Sequence, residues 1–377
     1  MTLDSYPAAR LAAPKVHAYF AQHLTASLQA TTVAAIPDEG VIREVIDAAF
    51  WASLRREEGY EPKISLAYLP PEQDAQPLVF ERPLPLHPAT LAKLAPIVER
   101  AGIHLGVWHV DGELRVWGTT QNIPVFCFVL EVVEPGLLVV KHHRGAQAGK
   151  YVNVAVLEGD HVKLVDESAT RLPDCPDLLT SLLGFHTTKS WVGSVNVLVQ
   201  LAVAMRAHGR GGSLLIVPVR SDEWRDSIVH PITYAVSPPF VALSKIIAEA
   251  SGSDQTRIWH DSFKEAIDTV AGLTAVDGAE VMSDNHDLLA FGAKITRRRG
   301  APLVEHVTLT EPIEGGSPLV VTPADLGGTR HLSAAQFVHD QRGAVALVAS
   351  QDRRFTVFAW SPRETSVHAH RVESLLL

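Results

Sequence analysis

The sequence is poor in cysteine and has no long uninterrupted apolar run. It contains 2 cysteines in 377 residues, Cys127 and Cys175. That is too few for a disulfide framework and favours a reducing compartment. The first residues include Asp4 and Pro7 and no continuous apolar stretch, so we expect no signal peptide. Apolar runs such as 125–133 are too short to span a bilayer. These absences predict a cytoplasmic protein that does not associate with membranes.

Several common chemical signatures are also missing. The chain has no Gly-x-Ser-x-Gly elbow, no P-loop ending in Gly-Lys-Ser/Thr, and no Cys/His spacing typical of zinc sites. His142 and His143 are adjacent on a predicted strand and point to opposite faces, so we expect surface residues rather than a metal pair. His368 and His370 share strand parity but lack a third ligand. Elbow-type hydrolases, P-loop NTPases and zinc proteins are therefore not indicated.

Length and charge limit the remaining classes. A chain of 377 residues is long for one domain, so we expect two. Hydrophobic residues at 46% and charged residues at 20% are ordinary for a globular protein. The formal charge of −9 argues against binding of nucleic acid or a membrane surface through bulk charge. A local basic pocket remains compatible with this balance.

The order of the predicted elements divides the chain. Helical spacing dominates residues 13–57, with Asp38 as an N-cap, and another helix is expected over Leu91–Ala101. From His104 to Val165 the period is two, and the strands are separated by turns such as Asp111-Gly112. We place the boundary in the polar segment 166–190. The sequence thus predicts an α+β domain over residues 1–185 and a second domain, of alternating helices and strands, over 190–377. In the second domain, Val281 and Met282 indicate a strand whose expected partner is Leu289–Ile295, and 344–349 and 355–360 are expected to be the last two strands.

The second domain carries an Asp-Gly-Ala motif at Asp277, Gly278 and Ala279. Aspartate can hold a metal or a ribose hydroxyl, and glycine allows a ligand to approach the backbone closely. Asp-Gly is also among the commonest turn dipeptides, and Asp111-Gly112 is the same pair in a predicted hairpin. Spacing alone therefore favours an ordinary turn.

A second motif follows about fifty residues later, at Gly328, Thr329, Arg330 and His331. Backbone N–H groups after a glycine form an anion-binding concavity, above all where a helix begins. The segment Ser333–Val338 is expected to be that helix. Arginine offers paired hydrogen bonds to phosphate oxygens. Alone, the motif fits a phosphate site and a solvated loop equally well.

Taken in order, these motifs resemble the diadenylate cyclase domain. In that family, an Asp-Gly-Ala motif follows a helix, a Gly-Thr-Arg-His-Arg motif opens a later helix, and a strand leads to a Ser-Glu-Glu-like turn. The third element corresponds here to Val345–Asp352, and the opening helix, glycine turn and strand correspond to Leu198–Pro218. The resemblance covers residues 192–365.

The resemblance implies an α/β domain, with a mixed central sheet flanked by helices, that condenses two ATP molecules into cyclic di-AMP. It implies that Asp277, Arg330 and His331 are catalytic and that Asp277 and Asp352 bind Mg²⁺ or Mn²⁺. The implied nucleotide contacts are Gly278, Ala279, Gly328, Thr329, Ser350 and Gln351. Each site holds one ATP, so two copies of the chain are expected to meet face to face in a homo-oligomer.

The chain departs from the family pattern at two places. Leu332 stands where the family has a second arginine, and Gln351-Asp352 replaces an acidic pair. The run Arg297–Arg299 either replaces the missing charge or is a solvated loop, and we favour the loop. The expected function is therefore a cyclase. A nucleotide or cyclic-dinucleotide receptor without activity, and an enzyme with a different product, remain open.

The N-terminal domain resembles the sensor domain called DACNV, which precedes divergent diadenylate cyclase domains. The residues that carry this resemblance are Leu105–Trp108, Asp111–Gly118 and Leu137–Lys141. It implies regulation by a small-molecule ligand whose identity the sequence does not give. Trp108 and Trp117 either line a ligand pocket or belong to the core.

Overall fold

The computed structural model describes residues 5–26, 34–100, 102–143, 151–166, 197–249, 257–352 and 354–377. These residues form two compact units. The first extends to Asp166 and includes Leu377, and the second ends at Leu376. The segment predicted to hold the boundary, 166–190, lies outside the described residues except for Asp166, where the first unit ends. Within these ranges, no helix combines the length and apolar character needed to cross a bilayer.

The first unit is an eight-stranded mixed sheet with helices. Its helices are α1 (Pro7–Ala26), α2 (Glu39–Ser53) and α3 (Pro88–Leu94). Its strands are β1 (Ile64–Tyr68), β2 (Leu78–Pro85), β3 (His104–Val110), β4 (Glu113–Thr120), β5 (Phe128–Glu134), β6 (Leu137–His143), β7 (Tyr151–Glu158) and β8 (His161–Leu164). The strand order is β2-β4-β3-β1-β5-β6-β7-β8, with β1 and β3 parallel. This composition agrees with the predicted α+β class.

Local sequence signals account for the ends of these elements. The Asp38 carboxylate accepts a hydrogen bond from the Val41 N–H at 2.8 Å, which confirms the predicted N-cap of α2. The Asp111-Gly112 hairpin is also confirmed, since both residues have positive φ, 53° and 81°. Helix α3 ends at Leu94, before the predicted Ala101. Pro96 follows in a short 3₁₀ turn and has no N–H with which to continue the α-helix.

Two aromatic side chains of this unit are buried more deeply than their polarity suggests. His142 is 3% exposed, so its prediction as a surface residue is wrong. Its Nε2 lies 3.2 Å from the hydroxyl of Tyr19 on α1, and its ring stacks at 4.7 Å on Phe126, which precedes β5. Trp117 belongs to the core, and its indole N–H donates to the Leu69 carbonyl at 2.8 Å.

The second unit is a nine-stranded mixed sheet. Its helices are α4 (Val197–Ala207), α5 (Ala242–Glu249), α6 (Arg257–Leu273) and α7 (Pro323–Asp340). Its strands are β9 (Gly212–Val217), β10 (Tyr234–Phe240), β11 (Ala279–Ser283), β12 (Leu288–Ala293), β13 (Val307–Thr310), β14 (Leu319–Val321), β15 (Val345–Ala349), β16 (Phe355–Ser361) and β17 (Ser366–Arg371). The strand order is β10-β12-β11-β9-β15-β16-β17-β13-β14. The pairs β9–β11 and β13–β17 are parallel.

Helices cover both faces of this sheet. Along β9, Leu214 and Ile216 pack with α4 and α6, whereas Leu215 and Val217 pack with α7. Alternate residues thus enter two separate cores, which explains why residues 214–217 of β9 are all apolar. A mixed sheet flanked by helices agrees with the predicted α/β class.

The C-terminal end of this unit differs from the prediction. We expected 344–349 and 355–360 to be the last two strands, but β17 follows them and pairs with both β16 and β13. His368 and His370 lie on β17 and are buried. Burial lowers the pKa of His370 to about 3, and its Nδ1 lies 2.7 Å from the Thr310 hydroxyl. Polar histidines at the alternate positions hid this strand from an apolar pattern.

Candidate functional site

A glycine turn divides α7 into two helical segments. Gly327 (φ 152°, ψ 71°) and Gly328 (φ 67°, ψ −165°) are not helical, and an L-residue rarely adopts this backbone. The second segment therefore starts just after Gly328 and runs to Asp340, earlier and longer than the predicted helix Ser333–Val338. Its first N–H groups have no partner within the helix. The motif thus presents a helix N-terminus, which suits an anion.

The Asp-Gly-Ala motif lies between the end of α6 and the start of β11. Gly278 has a φ of 108°, and a Cβ at this position would lie 2.5 Å from the Gly292 carbonyl carbon. Gly292, on the neighbouring strand β12, is packed about as tightly, since a Cβ on it would lie 2.7 Å from the Tyr234 ring. Asp277 is exposed immediately before this contact. The packing of two glycines therefore fixes the backbone that carries the carboxylate.

The two motifs meet at one cavity of about 490 Å³. It is lined by Ser213, Asp277, Gly278, Ala279, Ala293, Lys294, Ile295, Thr329, Arg330 and Ser333. A smaller cavity of about 170 Å³ shares Thr329 and Arg330 with it. The other residues lining the smaller cavity are Gly327, Gly328, His331, Ala349 and Ser350. The larger cavity is of the size that holds small organic ligands.

The larger cavity carries two cations and one carboxylate. Arg330 and Lys294 line it together with Asp277. Neither cation forms an ion pair within 4.0 Å with a carboxylate of the described chain. The Arg330 guanidinium passes over Gly211, where a Cβ would lie 2.9 Å from its Nη1. The arrangement suits a ligand with several negative charges.

His331 lies beneath the glycine turn and is 1% exposed. Its Nδ1 contacts the Gly327 carbonyl, and its Nε2 lies 3.3 Å from the Thr356 hydroxyl. Burial lowers the pKa of His331, and the hydrogen bond to Gly327 only partly opposes that effect. Both ring nitrogens are thus occupied by the protein. The geometry favours His331 as a residue that positions the glycine turn.

Only one of the three predicted residues of the third motif lines either of the two cavities. Ser350 lines the smaller cavity, whereas Gln351 and Asp352 line neither cavity. Asp352 is hydrogen-bonded by the Ser350 hydroxyl and lies 3.3 Å from the Arg354 Nε. Burial alone would raise the pKa of Asp352, but Ser350 and Arg354 outweigh it and the net pKa is lowered.

The donor set decides what kind of metal ion would fit. Asp277 is the one predicted metal ligand that lines the larger cavity, and the described residues contain no cluster of three or more His, Cys, Asp or Glu able to hold a metal. A structural metal cage is therefore not indicated. Magnesium commonly takes one or two carboxylates and completes its shell with substrate phosphates and water. Asp277 fits that mode.

Sequence reasoning missed Lys294. The neighbouring arginines, 297–299, lie in a loop, which is the interpretation that the sequence analysis favoured. Lys294 follows β12, and its carbonyl accepts from the Val229 N–H at 2.8 Å. Its only signal was its place at the end of the strand predicted to pair with the Asp-Gly-Ala strand. Arg298 and Arg299 line a different cavity, so they do not supply the charge that Leu332 fails to provide.

Comparison with known proteins identifies one segment. A family model described as the probable sensor domain DACNV matches residues 31–121, which include α2, α3 and β1–β4. The match contains Leu105–Trp108 and Asp111–Gly118, whereas Leu137–Lys141 lies beyond it. The search of curated proteins found no match for the chain. Residues 31–121 of the first unit are therefore similar to a probable sensor domain.

Proposed function

We propose that the second unit binds ATP in the larger cavity, which we call the Asp277 cavity. There it condenses two ATP molecules into cyclic di-AMP, and the N-terminal sensor domain controls this reaction. The observation that carries this proposal is the convergence of separate motifs. Asp277 and Arg330 are far apart in sequence, yet they line one cavity together with Gly278, Ala279 and Thr329. The resemblance of these motifs to diadenylate cyclases supplies the reaction.

Each residue has a task in this reaction. The N–H groups after Gly328, the Thr329 hydroxyl and the Arg330 guanidinium bind phosphate oxygens, and Gly278 and Ala279 form the surface against which adenosine packs. The ribose 3′-hydroxyl of one ATP attacks the α-phosphorus of the other. Each attack forms a P–O3′ bond, breaks the α–β phosphoanhydride and releases pyrophosphate, and the proton of the hydroxyl passes to solvent. Positioning and charge neutralisation supply most of the acceleration in such transfers.

A divalent ion completes the site in this proposal. Asp277 would hold Mg²⁺ or Mn²⁺ jointly with the phosphates, and the ion would neutralise the charge that develops on their oxygens. Lys294 adds a second protein cation to the cavity and takes over the charge of the arginine that Leu332 replaces. His331 keeps the glycine turn in place from below.

The reaction requires two copies of the chain. One cavity of about 490 Å³ accommodates one ATP, so two second units must face each other for the α-phosphates and 3′-hydroxyls to meet. The sensor domain would set how often they do so, in response to a small molecule. A homo-oligomer is therefore part of the proposal.

The direct test is incubation of the purified protein with ATP and Mn²⁺ or Mg²⁺, with the products separated by chromatography and weighed by mass spectrometry. We expect cyclic di-AMP from the natural protein and none from Arg330→Ala. Arg297→Ala is the matched control, because Arg297 is an exposed arginine that does not line the cavity. Absence of any nucleotide product from the natural protein would contradict the cyclase.

A second candidate is a nucleotide or cyclic-dinucleotide receptor without activity. One observation favours it: Leu332 and Gln351 replace charged residues of the family pattern. Saturable binding of ATP or cyclic di-AMP that depends on Arg330, without turnover, would establish the receptor. The same binding followed by product formation would establish the enzyme.

A further inference from the structure

Another cavity, which we call the second cavity, opens at the end of β9 opposite to the Asp277 cavity. Its volume is about 600 Å³, so it is larger than the Asp277 cavity. Ser213 of β9 lines the Asp277 cavity, and Val217 lines this one. Ser213 and Val217 are four positions apart along the strand, which is a distance of about 13 Å. Helix α7 likewise runs from Thr329 at the first cavity to Asp340 at the second.

The second cavity is rich in arginine. Arg298, Arg299 and Arg342 line it, with Glu223 and Asp340 as the acidic residues and His339 beside them. The lining also includes Val217, Pro218, Trp224, Ala301, Pro302 and Ala344. It thus combines guanidinium groups with an apolar wall, the pattern of a site for an organic anion.

Within the described chain, the acidic residues pair with only one of these arginines, Arg298. The Asp340 carboxylate is fully buried and accepts from the Arg298 N–H at 2.7 Å and from Gln336 Nε2 at 2.9 Å. Its charge is thus met by a backbone donor and an amide donor, and the His339 Nδ1 lies 3.0 Å from its Oδ1. Glu223 and Asp226 are exposed, and their carboxylates lie 3.9 Å from Arg298 Nη1 and 3.6 Å from Arg298 Nη2. Contacts of that length in water stabilise little.

Arg299 and Arg342 have no carboxylate partner among the described residues. Arg299 is exposed at the rim. Arg342 lies over the Trp360 ring, 4.1 Å from its centroid, and is also exposed. Helix α7 ends at this cavity, and the C-terminus of a helix favours cations. However, Arg298 already lies at that end, so two more guanidinium groups exceed what the helix needs.

From this excess charge we propose that the second cavity binds a small organic molecule through a phosphate or carboxylate group. Arg299 and Arg342 bind the anionic group, and the wall of Val217, Pro218 and Pro302 contacts the organic part. The inference does not rest on the proposed cyclase activity.

The test is titration calorimetry of the full chain with phenyl phosphate and, separately, with benzoate. These probes share an apolar ring and differ in the anion. We expect saturable binding of at least one, and its strength relative to the other identifies the preferred anion. The double variant Arg299→Ala/Arg342→Ala should weaken that binding by about tenfold or more, since charge-assisted hydrogen bonds are lost.

Two controls separate the possible results. Arg297→Ala removes an exposed arginine of the same loop that does not line the cavity, and Arg330→Ala alters the Asp277 cavity. Binding that survives both variants and fails in the double variant supports the proposal. Lack of saturable binding by either probe would overturn it. Equal weakening by Arg297→Ala, or loss with Arg330→Ala, would overturn it too, because the anion would then bind through general charge or at the other cavity.

Discussion

Asp111-Gly112 and Asp277-Gly278 have the same two residues in opposite surroundings. Both glycines have positive φ, 81° and 108°. A Cβ on Gly112 would meet nothing within 4 Å, whereas one on Gly278 would lie 2.5 Å from the Gly292 backbone. The first pair closes a hairpin in solvent, and the second is wedged between strands beside a cavity. The dipeptide supplies the turn, and the packing decides whether the turn can hold a ligand.

The charged side chains near the two turns also differ, because the described chain forms an ion pair only near the first turn. After the first turn, Glu113 and Arg115 pair at 2.7 Å on the surface. After the second, Lys294 lines the cavity without a carboxylate partner within the described chain. Glu280 is fully buried, has no hydrogen-bond partner there for either oxygen, and lines neither cavity. Charges at the hairpin are already satisfied. Charges at the cavity are available to a ligand, which is what a binding site requires.

The largest effect is expected from removing one carboxylate at each turn. If the second unit is the proposed cyclase, Asp277→Asn should reduce cyclic di-AMP formation by about a thousandfold, because the proposed ligand for the metal ion is lost. Asp111→Asn should leave it unchanged, since asparagine tolerates positive φ in a turn. Product formation from ATP measures both, and the thermal stability of each variant should stay within about 1 kcal/mol of the parent. Full activity in Asp277→Asn would remove that residue from the site.

A methyl group on each glycine tests the packing difference. Gly278→Ala should lower the free energy of unfolding by about 3 kcal/mol or more, because the Cβ overlaps backbone atoms that cannot move aside. Gly112→Ala should cost about 1–2 kcal/mol, the strain of the left-handed backbone alone. Urea unfolding followed by circular dichroism gives both values. Equal losses would show that the contact with Gly292 is not tight in solution.

The buried Glu280 predicts a pH dependence. Desolvation raises its pKa from the ordinary 4.5 to about 9, so between these values the folded state holds one proton more than the unfolded state. Stability therefore falls as the pH rises through this window, by about 1.4 kcal/mol per pH unit at most.

The matched variants are Glu280→Gln and Glu113→Gln. Glutamine at 280 should raise the melting temperature at pH 9 and change it much less at pH 5, where the buried carboxyl of the parent is already neutral. Glutamine at 113 should have little effect at either pH, since Glu113 is exposed. An equal shift for Glu280→Gln at the two pH values would show that Glu280 is not protonated in the folded protein.

Particular residues show how much of the fold and of the candidate site could be predicted from the sequence. Periodicity predicted most helices and strands, and Asp38 marked the start of α2 correctly. It could not tell the two Asp-Gly turns apart, because the difference lies in Gly292, a residue on another strand. It missed β17, where His368 and His370 occupy buried positions. Lys294 and the separate location of Arg298 and Arg299 depend on the sheet order and the paths of the loops, which local pattern does not encode.

The smallest effect is expected at Lys294, and it completes the contrast between the turns. Lys294→Ala should weaken ATP binding by about tenfold, the loss of one charge-assisted contact, with the weakening smaller at high salt because ions screen the charge. Lys294→Arg should retain most of the affinity. Lys245→Ala is the control, since Lys245 is exposed on α5 and does not line the cavity. If all three variants bind ATP as tightly as the parent, Arg330 alone meets the phosphates. The cavity would then work with one protein cation, and the loss of the family's second arginine at Leu332 would have no replacement in this chain.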